Sequence, residues 1–314
     1  MKTNVFCKRI GAMLLTLLLG ISCLAITASA RDSIDPTRES SLGVYFGADK
    51  TGFPAVSFSI YRVADISEAG EYSLTDAFAG YAVSFAELDS SGWRALAQTL
   101  DAYAARDGLS PLLTQETGQD GWVRFTGLTP GLYLVSGSQY MADSTLYTPE
   151  PMLVSLPGLG KNGSWSYDTE ASCKFDCRET PGEPVSRKVQ KVWKDQGSQN
   201  QRPAEISVQL LENGTVVDTV TLNSRNNWEY SWDDLDGTSK WQVVEAQVPQ
   251  GYTTSVSQEG TVFILTNSRL TETPPKLPQT GLLWWPVPLL ACGGLALAAT
   301  GLILRHRRDN SDER

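Results

Sequence analysis

Many short apolar stretches, separated by turn-forming residues, run through the middle of the chain. Residues 56–61 alternate between apolar and polar side chains, and residues 206–210 and 228–232 do the same. Such alternation places one set of side chains on each face of a strand, which is typical of a half-buried sheet. Asn213-Gly214 lies between two such runs and predicts a two-residue hairpin turn. The pattern predicts an all-β sandwich fold.

One segment has a helical period instead. Its apolar residues fall on one helical face, with Ser90 or Ser91 before them as a start signal and Gly108 after them as a stop signal. The pattern predicts an amphipathic helix over residues 92–106, in a long insertion of the first half of the fold. We expect its apolar stripe to pack on a core. The stripe consists of Trp93, Leu96, Leu100, Tyr103 and Ala104.

The first 30 residues have the order of an export signal. Three basic residues among the first nine precede an apolar run from residue 10 to about residue 26, and the small residues Ala28 and Ala30 follow it. This order is typical of a cleavable signal peptide, whereas an uncleaved membrane anchor does not require small residues there. We expect residues 1–30 to be removed, so that the exported chain starts at Arg31.

The other end of the chain contains a long apolar segment. Residues 282–304 are uncharged and long enough to cross a bilayer as a helix. Arg305, Arg307 and Arg308 follow directly, and positive charge keeps such a flank on the cytoplasmic side. The sequence therefore predicts a C-terminal transmembrane helix with a basic tail.

Five residues stand directly before this span: Leu277, Pro278, Gln279, Thr280 and Gly281. Their order, with the apolar span and the basic tail behind them, resembles the LPXTG sorting signal of Gram-positive cell-wall proteins. The resemblance implies that a sortase cleaves between Thr280 and Gly281 and joins the new carboxyl end to an amine of peptidoglycan or of another pilin subunit. The protein would then be secreted and covalently anchored at the cell surface, with only transient membrane contact. A plain single-span membrane protein is the alternative.

The exported part of the chain is acidic and has no histidine. The whole chain carries 26 Lys+Arg and 35 Asp+Glu, and the two terminal segments hold seven of the basic and three of the acidic residues, which leaves a net charge of −13 for residues 31–281. Such a surface repels nucleic acid and anionic lipid. The only histidine is His306, so no Ser–His or Cys–His pair and no histidine-based zinc site can form outside the cell. We expect no enzymatic turnover, no metal ion and no cofactor.

Two cysteines, Cys173 and Cys177, lie in the exported part. This is too few for a disulfide framework. On one extended strand their Cα atoms would be about 13 Å apart, which is too far for a disulfide. They could pair only across a local turn, and the sequence leaves that open.

Composition shifts divide the chain into segments. A Pro- and Gly-containing stretch reads as an interdomain linker, and a second Pro-rich stretch precedes the sorting motif. We predict two sandwich domains, the first with the helical insertion, and the C-terminal transmembrane helix. The predicted bounds are 1–30 for the signal peptide, 31–180 for the first domain, 181–187 for the linker, 188–270 for the second domain, 271–276 for the Pro-rich tail and 277–314 for the sorting signal.

Residues 188–268 contain a set of motifs that resembles, in its order, the Cna B-type domain of Gram-positive adhesins and pilins. The resemblance implies a β-sandwich of the immunoglobulin-like class. The residues that carry it are Lys191-Val192-Trp193, Asp195, Arg202-Pro203, Val208-Gln209-Leu210, Asn227-Trp228-Glu229-Tyr230, Val244-Glu245, Gly251-Tyr252-Thr253 and Ile264-Leu265-Thr266-Asn267.

In that family a lysine on the first strand forms an intramolecular isopeptide bond with an asparagine on the last strand. The family pattern falls on Lys191 and Asn267, with Glu245 as the helper carboxyl. Burial would lower the pKa of the amine and raise the pKa of the carboxyl, which places a neutral nucleophile beside a proton donor. Taken alone, a lysine near a strand end is usually a solvated charge, and an asparagine before a turn usually shapes the turn. The prediction therefore depends on all three residues together.

Residues 42–174 look like the N-terminal domain of sortase-assembled pilin subunits. The carriers include Phe58 to Ala64, Gly131 to Val135, Tyr147 to Pro151, Leu153 to Pro157 and Trp165 to Asp168. In such pilins a lysine near the end of this domain accepts the threonine of the next subunit. Lys174 stands at that place, although Cys173 replaces the proline that the family commonly shows before the lysine.

Two functions stay open from the sequence. A structural pilin-type subunit needs an acceptor lysine such as Lys174, and it has a sortase and other subunits as partners. A monomeric wall-anchored adhesin needs no acceptor, and its first domain would bind a host or matrix ligand that no motif identifies.

Overall fold

The secondary structure of the described residues is mostly β-sheet. The structure is a computed structural model, and it describes residues 33–86, 88–160, 164–179 and 181–269. The predicted signal peptide at 1–30, the Pro-rich tail at 271–276, the sorting motif at 277–281 and the membrane span at 282–304 all lie outside these ranges. Within them, no helix combines the length and the apolar character that crossing a bilayer requires.

The first sandwich contains a three-stranded and a five-stranded sheet that pack face to face. One sheet has the order β14-β1-β7, and the other has the order β11-β8-β4-β5, with β6 also paired to β4. Shorter ribbons join β15-β10-β9, β12-β13 and β2-β3. The strands are β1 (Ser40–Tyr45), β2 (Gly47–Ala48), β3 (Thr51–Gly52), β4 (Ser57–Ile66), β5 (Tyr72–Leu74), β6 (Leu113–Glu116), β7 (Trp122–Leu128), β8 (Gly131–Gly137), β9 (Tyr140–Ala142), β10 (Thr145–Pro149), β11 (Met152–Leu156), β12 (Gly158–Leu159), β13 (Trp165–Ser166), β14 (Asp168–Ser172) and β15 (Phe175–Arg178).

The alternating residues of β1, β4, β7 and β8 form the core of this sandwich. Leu42 and Val44 on β1 are fully buried, and so are Phe58 and Ile60 on β4. Every second residue of each strand points inward, as the sequence pattern predicts. The main core cluster comprises Leu42, Val44, Phe46, Phe53, Val56, Phe58, Ile60, Val123, Phe125, Leu128, Tyr133, Val135, Leu156 and Cys173.

The predicted helix is present as α1 (Ser90–Arg106). Its N-cap is Asp89, whose side chain accepts a hydrogen bond from the Gly92 amide at 2.8 Å, rather than Ser90 or Ser91. An aspartate at the N-cap satisfies a free amide of the first turn and also places negative charge at the positive end of the helix. The helix begins two residues before the predicted start because its cap lies further upstream.

The apolar stripe of α1 divides between two surfaces. Leu96, Leu100 and Ala104 pack on the outer face of the β4–β8 sheet, as the stripe predicts. Tyr103 does not pack there, and with Ala102 it contacts Leu211 and Val244 of the second sandwich instead. The helix is therefore buried on two sides, which a single amphipathic stripe does not indicate.

The second sandwich has seven strands in two sheets, with the orders β19-β16-β22-β21 and β18-β17-β20. The Asn213-Gly214 hairpin is confirmed, since Glu212 pairs with Thr215 and both turn residues have positive φ. Strand β16 begins at Val185, so the last residues of the predicted linker 181–187 lie in the sheet. The strands are β16 (Val185–Lys194), β17 (Glu205–Glu212), β18 (Thr215–Asn223), β19 (Glu229–Leu235), β20 (Trp241–Glu245), β21 (Tyr252–Glu259) and β22 (Val262–Arg269).

The all-β prediction with one helical insertion is confirmed for the described residues. The core of the second sandwich contains Val189, Val208, Leu210, Val243 and Leu265, which alternate along their strands as predicted. The domain bounds proposed from the sequence stay a prediction, because both sandwiches and α1 belong to one compact unit that extends to Ser268.

Candidate functional site

The first and last strands of the second sandwich, β16 and β22, lie side by side and run parallel. In their register Lys191 pairs with Leu265, and Trp193 pairs with Asn267. Lys191 and Asn267 are thus one pleat apart on the same face of the sheet, because side chains two positions apart in a strand share a face. Both side chains point into the sandwich, where Lys191 is 6% exposed and Asn267 is 0% exposed.

Glu245 approaches the same place from the opposite sheet. It is the last residue of β20, and it is 1% exposed. The Asn267 side-chain amide donates a hydrogen bond from Nδ2 to Glu245 Oε1 at 3.1 Å. The structure therefore brings together the three residues that the family pattern indicates, from three different strands.

Burial shifts both titratable groups of this cluster toward their neutral forms. Loss of hydration lowers the pKa of the Lys191 amine, and the nearby Glu245 charge only partly opposes this. The same loss of hydration raises the pKa of the Glu245 carboxyl against the opposing Lys191 charge. An uncharged pair has a free electron pair on the amine and a proton on the carboxyl, which is the state that attack on an amide requires.

Two buried oxygen atoms of the cluster, Glu245 Oε2 and Asn267 Oδ1, accept no hydrogen bond of normal geometry from the described residues, although the Thr254 hydroxyl of β21 lies close to the Glu245 carboxyl. Buried polar atoms are normally paired, because an unpaired one loses its hydration without compensation. A proton on the Glu245 carboxyl would add a hydrogen-bond donor to this group of acceptors.

The Trp193 ring covers the Lys191 amine, and two further rings pack on Trp193. Its Nζ lies 4.0 Å from the centre of the Trp193 ring and donates to the Val192 carbonyl at 3.0 Å. Trp228 and Tyr252 meet the Trp193 ring edge-on, with centroid distances of 5.4 and 5.3 Å. Lys191 is therefore buried beside an aromatic cluster, and the Val192 carbonyl accepts a hydrogen bond from its amine.

An ion pair between the buried Asp195 and the partly exposed Arg202 lies beside the Trp193 ring. Arg202 binds Asp195 through two hydrogen bonds of 2.7 and 2.8 Å, and Tyr252 donates to the same carboxylate at 3.2 Å. The guanidinium lies 5.6 Å from the centre of the Trp193 ring. The sequence indicated Asp195 and Arg202 only as family markers. One signal in the sequence could have indicated that these residues position the Trp193 ring. The aspartate and the arginine carry opposite charges, are seven positions apart and lie close to a tryptophan.

The remaining predicted residues lie in the first sandwich. Lys174 is exposed in the short connection between β14 and β15. Cys173 is buried, Cys177 is exposed and both thiols are free, so the pairing that the sequence left open is not formed. Among the described residues, no group of three or more His, Cys, Asp and Glu side chains is placed to hold a metal ion.

Comparisons with known proteins match the second sandwich to a known domain family. The family model for the Cna protein B-type domain matches residues 187–268. This match confirms the resemblance predicted for that segment. A curated relative, the collagen adhesin of Staphylococcus aureus, is 36% identical over 106 residues, and the match covers 32% of this chain and 9% of that protein.

Solved structures of surface proteins show a distant likeness over about three quarters of the chain. A single B repeat unit of the collagen-binding surface protein of Staphylococcus aureus has 22% identity and a TM-score of 0.27, covering 76% of this chain and 99% of that one. The full-length major pilin SpaD from Corynebacterium diphtheriae has 12% identity and a TM-score of 0.30, with coverages of 76% and 100%. The shaft pilin SpaA from Lactobacillus rhamnosus GG has 13% identity and a TM-score of 0.24, with coverages of 76% and 99%.

Proposed function

We propose that this chain is a structural, pilin-type surface subunit, attached by a sortase to a pilus or to peptidoglycan, and that its second sandwich forms an internal Lys191–Asn267 isopeptide bond. The convergence of Lys191, Glu245 and Asn267 in one buried cluster carries this proposal. The B-type match over residues 187–268 supports it. The sorting motif at 277–281 supplies the proposed attachment point.

The proposed reaction joins two side chains and releases ammonia. The neutral Lys191 Nζ attacks Cγ of Asn267, whose carbonyl oxygen is polarised by the protonated Glu245. The Nζ–Cγ bond forms, the Cγ–Nδ2 bond breaks, and Nδ2 leaves as ammonia. Glu245 accepts a proton from the attacking amine and returns one to the leaving nitrogen, so it ends as it began. No oxidant or cofactor is needed, and the protein reacts once without turnover.

Intact-mass measurement tests this reaction directly. Residues 31–280 of the wild type should weigh one ammonia less than the calculated mass, and the Lys191→Ala and Asn267→Ala variants should show their full calculated masses. Lys188→Ala is the matched control, because Lys188 lies on the same strand and forms a surface ion pair with Glu229 at 2.8 Å. A wild type of full mass would refute the isopeptide bond.

Attachment between subunits needs an accessible amine, and Lys174 is our candidate. Its exposure at the β14–β15 connection supports this assignment. Incubation of the full chain with a pilus-type sortase should give a ladder of covalent oligomers, and Lys174→Ala should remove the ladder. Lys50→Ala is the control, since Lys50 is also an exposed lysine of the first sandwich. A ladder that persists without Lys174 would refute its role as acceptor.

A monomeric wall-anchored adhesin is the second candidate, favoured by the match to a protein named as a collagen adhesin. In that case the first sandwich would bind a host or matrix ligand. Binding of residues 31–280 to immobilised collagen, measured by surface plasmon resonance, tests this function with collagen itself as the probe. Saturable binding together with a chain that forms no oligomer ladder would favour the adhesin over the pilin.

A further inference from the structure

The second sandwich has an open side, and α1 covers it. Strand β20 is the edge of one sheet and β21 is the edge of the other, so the two edges face the same side of the sandwich. An exposed sheet edge carries unpaired main-chain groups and admits water to the adjacent core. Glu245 lies at the end of β20, directly beside this opening.

Groups of the first sandwich's insertion pair with three successive outward amides of β21. The Thr254 amide donates to the Ala82 carbonyl at 2.8 Å. The Val256 amide donates to Thr99 Oγ1 at 2.8 Å, and the Gln258 amide donates to Gln98 Oε1 at 3.1 Å. Helix side chains thus take the place of a neighbouring strand, which fixes the position of α1 along this edge.

The C-terminal half of α1 packs on β20 near its last residue, Glu245, at the end of the open side closest to the reactive cluster. Tyr103 and Ala102 pack against Leu211 and Val244, the residue before Glu245. The Tyr103 hydroxyl donates to the Glu245 main-chain carbonyl at 3.2 Å, and its ring stacks on Tyr81 with a centroid distance of 4.8 Å. This contact holds the main chain of Glu245 at the end of β20, where its side chain is 1% exposed.

An ion pair between the buried Asp101 and the partly exposed Lys240 adds a polar interaction to the same contact. Asp101 on α1 is 4% exposed. It accepts hydrogen bonds from Lys240 Nζ at 2.7 Å and from Gln242 Nε2 at 2.8 Å, both on the second sandwich. Such a pair contributes to specificity of docking, because displacement would leave a buried carboxylate without partners.

The geometry points to α1 as a part of the reaction site: docking of the first sandwich's helix onto β20 and β21 promotes the isopeptide reaction, with Tyr103 as a positioning residue for Glu245. This inference rests on the isopeptide bond of the proposed function. It makes bond formation in the second sandwich dependent on the first, so that the covalent tie closes only after the two parts have assembled.

The physical reason is that Lys191 and Glu245 share one proton, and the position of this proton decides whether the two side chains are neutral or charged. Water at Glu245 would favour the ion pair of carboxylate and ammonium over the neutral pair, and only the neutral pair reacts. The titratable groups that face the pair are Tyr103 from α1, and Arg202 and Asp195 behind the amine. Removing α1 uncovers the end of β20 at Glu245 and frees the Glu245 main-chain carbonyl, whereas Arg202 and Asp195 belong to the second sandwich itself.

The test measures how fast residues 31–280 lose ammonia while they refold from denaturant. Intact mass is recorded over time, at a series of pH values. Ala102→Glu places a charge in the contact with Leu211 and Val244, and Ala86→Glu, at an exposed position of the same insertion, is its control. Tyr103→Phe removes one hydroxyl and keeps the ring. Its control is Tyr81→Phe, which removes a hydroxyl bonded to Asp107 at 2.7 Å and keeps the stack.

We expect Ala102→Glu to slow the reaction at neutral pH by at least about tenfold, the effect of one pKa unit on the neutral fraction. The acid limb of its pH–rate profile should also shift to lower pH, because hydration lowers the pKa of the Glu245 carboxyl. Tyr103→Phe should slow the reaction by about two- to tenfold, the range for one hydrogen bond. Both controls should react like the wild type.

The outcomes separate this inference from the proposed function. If the wild type loses no ammonia, the isopeptide bond itself is refuted. If the wild type reacts and both Ala102→Glu and Tyr103→Phe match its rate and pH profile, the helix has no part in the reaction. A variant that is slow only because it folds poorly would lower the rate at every pH without extending the acid limb, and that result would also overturn the role of α1.

Discussion

Replacing Glu245 by glutamine should leave the fold intact and prevent the isopeptide bond. The glutamine amide has almost the shape of the carboxyl and can still pair with Asn267, but it has no acidic proton to transfer. Lys191→Met removes the nucleophile and keeps a side chain of similar length. The two changes remove different groups and prevent the same bond, so a loss of stability that they share measures the bond.

The size of that loss follows from the loop that the bond closes. Lys191 and Asn267 are 76 positions apart in the sequence. A covalent link across a loop of that length removes conformational entropy from the unfolded chain worth about 4.5 kcal/mol. If both sandwiches unfold together, this corresponds to a fall in Tm of about 10 to 20 °C.

Differential scanning calorimetry of residues 31–280 measures this difference, with intact mass recorded on the same samples. Lys188→Met is the control, because it removes a lysine from the same strand without touching the cluster. Lys188 forms an exposed ion pair, so its loss should cost less than about 1 kcal/mol. A wild type that carries the bond and melts within about 3 °C of both unlinked variants would refute the loop-closure argument.

Three further outcomes are expected. A maleimide reagent at pH 8 should label Cys177 and leave Cys173 unlabelled until the chain unfolds, because burial raises the pKa of the Cys173 thiol to about 12, and equal labelling rates would contradict this. Asp101→Asn should lower the free energy of unfolding by about 2 kcal/mol, since it removes a charged hydrogen bond and leaves the Lys240 ammonium, whose side chain is 22% exposed, without its counter-charge, and a urea titration that shows no change would contradict it. Bond formation should slow at acid pH, where the Lys191 amine gains a proton, and again at alkaline pH, where the neighbouring carboxyl loses one, so that mass spectrometry at several pH values should give a bell-shaped profile rather than a flat one.

The strands could be predicted because their signals are local. Leu42 and Val44, like Phe58 and Ile60, alternate with polar residues over a few positions, and this alternation decides which side chains point inward. The Asn213-Gly214 turn was predicted for the same reason, since two residues with positive φ select one hairpin geometry. The helix was also found, but its second contact surface was not.

That second surface depends on residues far apart in the sequence. Asp101 and Ala102 are unremarkable in a helix that packs on one core, and nothing near them indicates Lys240 or Leu211 as partners. Their burial follows from docking between two sandwiches, which is a tertiary property. An aspartate placed between apolar residues of a predicted helix is the one local sign that the helix meets a second polar surface.

The candidate reactive cluster was indicated only through a family resemblance. Lys191, Glu245 and Asn267 lie on three strands, and no local period relates them. The register of β16 and β22 decides that the lysine and the asparagine share a face, and a shift of one residue would point one of them outward. Burial then sets their protonation, which depends on the whole sandwich and on α1.

The parallel pairing of β16 and β22 has a mechanical consequence. The pairing runs from Lys188 opposite Val262 to Lys194 opposite Ser268. The chain enters β16 at Val185 and leaves β22 at Arg269, and these two residues lie at opposite ends of the ladder. Tension applied between those ends slides the strands past each other in shear, so all of the ladder hydrogen bonds resist at once instead of opening one by one.

With the Lys191–Asn267 bond in place, the same tension would pass from β16 to β22 through a few covalent bonds. The residues between positions 191 and 267 would lie outside the loaded path, and the second sandwich would behave as an almost inextensible link. An unlinked sandwich would instead unfold and extend to the full length of its chain once the hydrogen bonds between β16 and β22 had broken. In single-molecule pulling, this difference would appear as a missing extension step in the linked chain.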